Sequence, residues 1–155
     1  MSLRNHLSRR QLLATGAGLG ASVLVRPALA TPDDMAAAIR AWTGGATLRA
    51  GRVTLDIATL VDNGNTVPVS VRVDSPMTEA DHVAAIALFN ERNPQPDVAR
   101  FQLGPRAGRA EVATRIRLAT TQKLVAVARM DDGSYWSHSV EVIVTLAACL
   151  EGEEG

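Results

Sequence analysis

Alternation of apolar and polar residues constrains the fold of this chain more than any other feature. Between positions 67 and 73 every second residue is valine, and Ser70 and Arg72 lie among the positions between them. A second run covers 135–146, and from position 140 three valines and Leu146 again occupy every second position. Successive side chains of a strand point to opposite faces, so this period of two predicts strands with one buried face.

Five further runs are bounded by glycine, proline or polar residues and complete the pattern. They are 53–57, 82–90, 98–103, 112–118 and 124–130. The run from His82 to Asn90 fits either a helix or a strand, and its alternation favours the strand. Asn63-Gly64 and Asp132-Gly133 predict tight hairpin turns. About seven strands at this spacing predict an all-β, immunoglobulin-like sandwich that forms one domain.

A short amphipathic helix precedes the strands. Residues 33–42 begin with aspartates, are rich in alanine and are followed by Gly44-Gly45, which ends a helix readily. We expect this helix to act as a lid or a packing arm.

The first 30 residues have the three parts of an export signal. Arg9-Arg10 lies in a basic segment, a glycine- and alanine-rich apolar run covers 14–25, and Ala28-Leu29-Ala30 fits a cleavage site. The paired arginines indicate the twin-arginine route, so we expect the mature chain to begin at Thr31 and to lie in the periplasm. An uncleaved membrane anchor is the alternative, but the run is short and contains glycines. We therefore expect no stable membrane insertion after cleavage.

The charge of the predicted mature chain argues against nucleic acid as a partner. The whole chain is formally neutral, with 16 bases and 16 acids, but the first 30 residues hold four arginines and no acid. The rest is therefore net acidic, with 12 bases against 16 acids. Nucleic-acid binding needs clustered Lys and Arg to replace counterions on phosphates.

Cys149 is the only cysteine of the chain and lies after the last predicted strand. An internal disulfide is therefore impossible, and an exported protein with one cysteine has either an intermolecular bond or a free thiol. A buried structural cysteine is the alternative, but nothing in the local sequence indicates burial. Glu151, Glu153 and Glu154 follow closely, and negative charge disfavours a thiolate. This arrangement suits a passively loaded thiol better than a nucleophilic catalyst.

The other candidate residues support weaker hypotheses. His82 and His138 are far apart in sequence and have no neighbouring acid at metal-ligand spacing, so we expect no metal site. Asp131 and Asp132 fit a turn better than a catalytic pair. Arg115 and Arg117 share one strand face, where they fit either a solvated surface or an acidic partner.

Several segments resemble one protein family across nearly the whole predicted mature chain. The resemblance is to SoxY, the sulfur-carrying subunit of the bacterial Sox thiosulfate-oxidation system, in which a twin-arginine signal is also found. The segments that carry it are Asn63-Gly64-Asn65-Thr66-Val67-Pro68-Val69, Asp74-Ser75-Pro76-Met77-Thr78, Asp81-His82-Val83, Leu88-Phe89, Asn93-Pro94, 110–119 and 127–134.

The resemblance implies a β-sandwich over 31–146 that pairs with a SoxZ-like subunit, and a mobile, cysteine-bearing arm over 147–155. By position, Cys149 would carry the sulfur while partner Sox enzymes load, hydrolyse and oxidise it. The protein would then be neither an enzyme nor a holder of any cofactor besides that covalent sulfur. A thiol enzyme is a weaker hypothesis, since no base or cation lies near Cys149 in sequence.

The arm departs from the family pattern. Members of the family typically have glycine pairs on both sides of the cysteine, whereas this chain has Ala147-Ala148 before it and Leu150-Glu151 after it. Glycine makes a chain thin and flexible, and the residues here are bulkier or charged. Two hypotheses therefore stand: a sulfur carrier with a variant arm, or a divergent paralogue that keeps the SoxZ interface without carrying sulfur.

Overall fold

The computed structural model describes residues 29–146. This range contains one α-helix, one short 3-10 turn and nine strands. The elements are α1 (Pro32–Thr43), β1 (Leu48–Arg49), β2 (Val53–Asp56), β3 (Leu60–Asn63), β4 (Val67–Val73), β5 (Val83–Asn90), β6 (Asp97–Gln102), the 3-10 turn (Pro105–Ala107), β7 (Glu111–Ile116), β8 (Gln122–Met130) and β9 (Tyr135–Leu146).

The strands form two sheets that face each other in a sandwich. The larger sheet has the order β1-β9-β8-β5-β6, and β3 adds to it by pairing with β9. The smaller sheet has the order β2-β4-β7 and is antiparallel throughout. The predicted all-β sandwich is therefore confirmed.

The main core lies between the sheets and follows from the alternation. The four valines of β4 are at most 4% exposed, and they meet Ile86, Leu88, Leu124 and Val142 of the larger sheet. Each of these side chains comes from the inward face of its strand. Burial of this apolar surface is the main driving force for folding.

Helix α1 covers the outer face of the larger sheet. Trp42 packs edge-on against Phe89, with ring centroids 6.2 Å apart, and against Tyr135, with centroids 5.4 Å apart. Together with Met35 and neighbouring residues they form a second apolar cluster. The sequence pattern correctly predicted this helix and its end, because Gly44 caps it in the left-handed conformation with φ of 65°.

The coverage by α1 explains why the sequence of β5 was ambiguous. Seven of its eight residues are buried, on both faces of the strand. A strand buried on both faces loses the apolar-polar alternation that marks a half-buried one. The preference for a strand over 82–90 is confirmed.

The structure adds two short strands that the sequence did not predict. Both β1 and β3 pair in parallel with β9, over two and four residues. Such short segments cannot show a period. The turn at Asn63-Gly64 is present, but the predicted hairpin is wrong, because the turn joins β3 and β4, which belong to different sheets.

The hairpin at Asp132-Gly133 is confirmed. Gly133 has φ of 81°, and its N–H donates to Met130 O over 3.1 Å. Hydrogen bonds from the Ser134 side chain and backbone lower the pKa of Asp132. Asp132 is therefore a turn residue, as its sequence context indicated.

Candidate functional site

The predicted site residues Cys149, Arg9 and Arg10 lie outside the described residues, as do the arm from 147 onward and most of the predicted signal peptide. The structure does describe the point from which the arm starts. That point is Leu146, the last residue of β9. The end of the sandwich that holds Leu146 is called the arm end below.

Strand β3 holds the end of β9, from which the arm starts. Pairing of β9 with β8 reaches Val142, and beyond it β9 pairs in parallel with β3. Ile143 N–H donates to Thr59 O over 2.8 Å, and Gly64 N–H donates to Leu146 O over 2.9 Å. The arm therefore starts from a point that is tied to the sandwich on its β3 side.

Two threonines add to this attachment. Thr145 Oγ1 donates to Asp62 O over 3.1 Å, and Val144 N–H donates to Thr121 Oγ1 over 3.0 Å. These bonds connect β9 to β3 on one side and to the loop before β8 on the other. The N–H groups of Ile143 and Val144 thus find new partners beyond the β8 ladder, as hydrogen-bonding groups of a fold generally do.

Three large apolar side chains are exposed at this end. Leu60 is 59%, Ile143 is 53% and Leu146 is 66% exposed. Leu60 and Ile143 are direct neighbours in the β3–β9 pairing, so they extend from the same face. The base of the arm therefore combines a hydrogen-bonded backbone with an apolar surface.

A buried amide network stiffens the arm end. The Asn93 side chain accepts from Ala119 N–H and from Gln122 Nε2, both over 2.9 Å, and donates to Arg117 O over 2.7 Å. Asn90 Oδ1 accepts from Asn93 N–H over 3.0 Å. Asn90 and Gln122 are at most 2% exposed. The network joins the β5–β6 loop to the β7–β8 loop, because Asn93 lies in one and its partners in the other.

Sequence analysis missed this network. Asn93-Pro94 was part of the family resemblance, but its contact with Gln122 spans 29 positions. No local pattern marks such a pair.

The two histidines occupy structural positions on different parts of the sandwich. His138 Nδ1 accepts from Leu55 N–H over 3.0 Å and so links β9 to the edge of the smaller sheet. His82 Nδ1 donates to Thr78 O over 3.0 Å and lies 3.9 Å from Asp131 Oδ2. Within residues 29–146 no three metal-binding side chains gather at one point.

In the same range of residues, α1 is neither long nor apolar enough to cross a membrane.

Comparison with solved structures places this fold among known ones. The SoxY sulfur carrier protein from Chlorobium limicola f thiosulfatophilum is 29% identical, with a TM-score of 0.62, over 72% of this chain and 92% of that chain. The superoxide reductase (neelaredoxin) from Ignicoccus hospitalis is 17% identical, with a TM-score of 0.55, over 75% of this chain and 94% of that chain. A putative superoxide reductase from Thermotoga maritima is 19% identical, with a TM-score of 0.52, over 63% of this chain and 87% of that chain.

The likeness to the superoxide reductases is one of fold alone at these identities. No curated protein sequence matches this chain. A family model for sulfur oxidation protein SoxY matches residues 39–149, which is most of the chain and includes Cys149. The chain therefore belongs to the SoxY family of sulfur oxidation proteins.

Proposed function

We propose that this protein carries sulfur during thiosulfate oxidation, held covalently on Cys149. The observation that carries the proposal is the family match, which runs through the whole sandwich and includes the only cysteine. The protein from Chlorobium limicola f thiosulfatophilum, which is 29% identical to this chain, is a sulfur carrier protein. Carriage requires a thiol that partner enzymes can reach, and Cys149 follows the end of β9 by three residues.

The proposed chemistry needs partner enzymes for each step. In loading, the thiol sulfur of Cys149 and the outer sulfur of thiosulfate form an S–S bond, and one proton and two electrons pass to the loading enzyme and its electron acceptor. Hydrolysis of the S–SO₃ bond by water then releases sulfate and a proton and leaves a persulfide on Cys149. The protein itself contributes the thiol and its position, so it is a carrier and not an enzyme.

The attachment of β9 supports this role. Three residues of extended chain reach about 10 Å, so Cys149 can project beyond the sandwich surface. The base of the arm at Leu146 is tied to Gly64 by a backbone hydrogen bond, so the arm starts from a fixed point of the sandwich. The nearby glutamates disfavour the thiolate, which suits a thiol that reacts only inside a partner enzyme.

We further propose export by the twin-arginine pathway, cleavage after Ala30 and function in the periplasm. Arg9-Arg10 and the small residues before Thr31 support the export route. We also propose a stable heterodimer with a SoxZ-like subunit. The exposed side chains of Leu60, Ile143 and Leu146 support an apolar contact near the arm, because exposed apolar groups gain most from association.

A second candidate is a binding subunit that no longer carries sulfur. It is favoured by Ala147-Ala148 and Leu150-Glu151, which replace the glycines expected around the cysteine. Complementation of a deletion strain with variants of this protein distinguishes the two functions. A carrier requires that Cys149→Ser fail to restore growth on thiosulfate, as the empty vector does. Full restoration by Cys149→Ser would establish the binding subunit instead, and detection of the variant in the periplasm controls for its export.

A further inference from the structure

The last residue of the proposed signal is part of the folded domain. Ala30 is 5% exposed, and its N–H donates to Asn93 O over 3.1 Å. Leu29, one position earlier, is 45% exposed. The chain therefore joins the sandwich at Ala30, one residue before the peptide bond that a signal peptidase would have to cut.

The first residue of the proposed mature chain is also held in place. Thr31 is the N-cap of α1, and its N–H and Oγ1 both donate to Asp34 Oδ2 over 2.8 Å. Asp34 N–H donates back to Thr31 Oγ1 over 3.2 Å, which completes a capping box. Thr31 O accepts from Met35 N–H over 3.0 Å. Three backbone groups around the Ala30–Thr31 bond are thus bonded within the fold.

A signal peptidase needs the same groups. It selects small side chains at the first and third positions before the cut, so the Ala30 side chain has to enter the enzyme. An extended segment is generally recognised through its main-chain hydrogen bonds and through pockets for alternate side chains. In this fold the Ala30 side chain is buried, and the N–H groups of Ala30 and Thr31 already have partners. The peptidase and the folded domain therefore compete for the same atoms.

We propose that the fold shields the Ala30–Thr31 bond, so that the signal of the folded precursor is removed only when residues 30–34 open locally. This inference rests on the proposed export and on cleavage after Ala30. Parts of a protein open locally without unfolding of the whole domain. When reclosing is fast relative to cleavage, the rate of cleavage follows the population of the open form. The stability of the N-cap of α1 therefore sets the rate at which the folded precursor matures.

The capping box has a role on both sides of the cleavage step. Hydrolysis of the bond by one water molecule leaves a carboxylate on Ala30 and an α-ammonium group on Thr31. The bond from Ala30 to Asn93 O leaves with the signal, whereas Thr31 and Asp34 remain in the mature chain. The bond from Thr31 N to Asp34 then joins an ammonium to a carboxylate, and such hydrogen bonds are stronger than neutral ones. The mature helix therefore keeps its cap.

Cleavage of the purified full-length precursor by signal peptidase in detergent micelles tests the inference. The comparison variant has a short Gly-Ser linker inserted between Ala30 and Thr31, which moves the cleavage site away from the fold and leaves 31–155 unchanged. We expect the linker variant to be cut about tenfold faster than the native precursor, or more, because its site is free in the closed domain. The masses of the products show whether the cut follows Ala30 in both proteins.

Two substitutions at neighbouring acids separate the capping box from charge alone. Asp34→Ala removes the acceptor of Thr31 N–H and of Thr31 Oγ1, and the loss of a helix cap predicts cleavage about fivefold faster than in the native precursor. Asp33→Ala removes the same charge in the same helical turn but lies outside the capping box. We expect its cleavage rate to stay within about twofold of the native rate, as for an exposed charge near a helix end.

The possible outcomes are distinct. Equal rates for the native precursor and the linker variant would overturn the inference, and equal rates for Asp34→Ala and Asp33→Ala would overturn the part given to the capping box. No cut in the linker variant would contradict cleavage after Ala30 itself. Failure of the shielding and failure of the proposed processing are therefore distinguishable, and neither result depends on sulfur carriage by Cys149.

Discussion

Replacement of Asn93 by alanine is a strong test of how the arm end is held together. The side chain of Asn93 makes three hydrogen bonds, two to groups in the loop before β8 and one to Gln122. In Asn93→Ala, the N–H of Ala119 and the carbonyl of Arg117 lose their partners. Gln122 keeps one bond, because its Nε2 also donates to Thr120 O over 3.1 Å.

The expected loss of stability follows from these contacts. A hydrogen bond contributes about 1 kcal/mol net, and leaving a buried partner unsatisfied costs about 1–3 kcal/mol. Ala119 is 9% exposed, so its N–H has little access to water once Asn93 is removed. Together the losses predict that Asn93→Ala lowers the free energy of unfolding by about 3 kcal/mol.

Urea denaturation followed by circular dichroism measures this difference. We expect the free energy of unfolding to depend on urea concentration with the same slope in the variant and in the native protein. The matched control is Asn65→Ala, at an exposed turn position, which we expect to change stability by about 0.5 kcal/mol at most. Asn93→Asp retains both acceptor bonds and loses only the donation to Arg117 O, so it should lie between the two. A loss below about 1 kcal/mol for Asn93→Ala would refute the role given to this network.

Two other predictions concern the sandwich edge and the helix. His138→Leu removes the acceptor of Leu55 N–H, and we expect about 1–2 kcal/mol lower stability in the same denaturation assay; an unchanged midpoint would show that the link between the sheets carries no energy. Thr31→Ala removes the hydrogen bond from Thr31 Oγ1, which is the larger of the two causes that lower the pKa of Asp34, and keeps the bond from the backbone N–H of residue 31. A lowered carboxyl pKa stabilises the fold above its unfolded value and ceases to do so as pH falls through the folded value. The variant should therefore show an Asp34 pKa nearer the ordinary value in an NMR titration, and an identical titration curve would contradict the capping geometry.

The sequence could predict those parts of the fold in which one strand face meets water. In β4 and β9 the alternation is visible because one face of each strand meets water and carries polar residues. The bounds of β4 were predicted correctly. In β5 the signal was weak, since helix α1 covers the face that would otherwise be polar. A pattern in one strand cannot show what packs on it from elsewhere in the chain.

Sequence alone marks the proposed site residue but not the surroundings of the arm base. Cys149 is the only cysteine and follows the last predicted strand, and both features can be read from the sequence. Gly64 contacts Leu146 directly and also accepts from Leu118, and the preceding Arg117 carbonyl accepts from Asn93, so three different loops meet near the arm base. Long-range contacts of this kind bring residues together through the sheet topology, which local patterns do not encode.

The most direct test of the account is the intact mass of the mature protein recovered from cells exposed to thiosulfate. The account predicts a chain that begins at Thr31 and carries a thiosulfonate or persulfide adduct, which reduction removes and Cys149→Ser never shows. Recovery of the protein with an unmodified Cys149 thiol would contradict the claim that this residue carries sulfur. That result counts when the cells are oxidising thiosulfate and the protein is bound to its partner subunit.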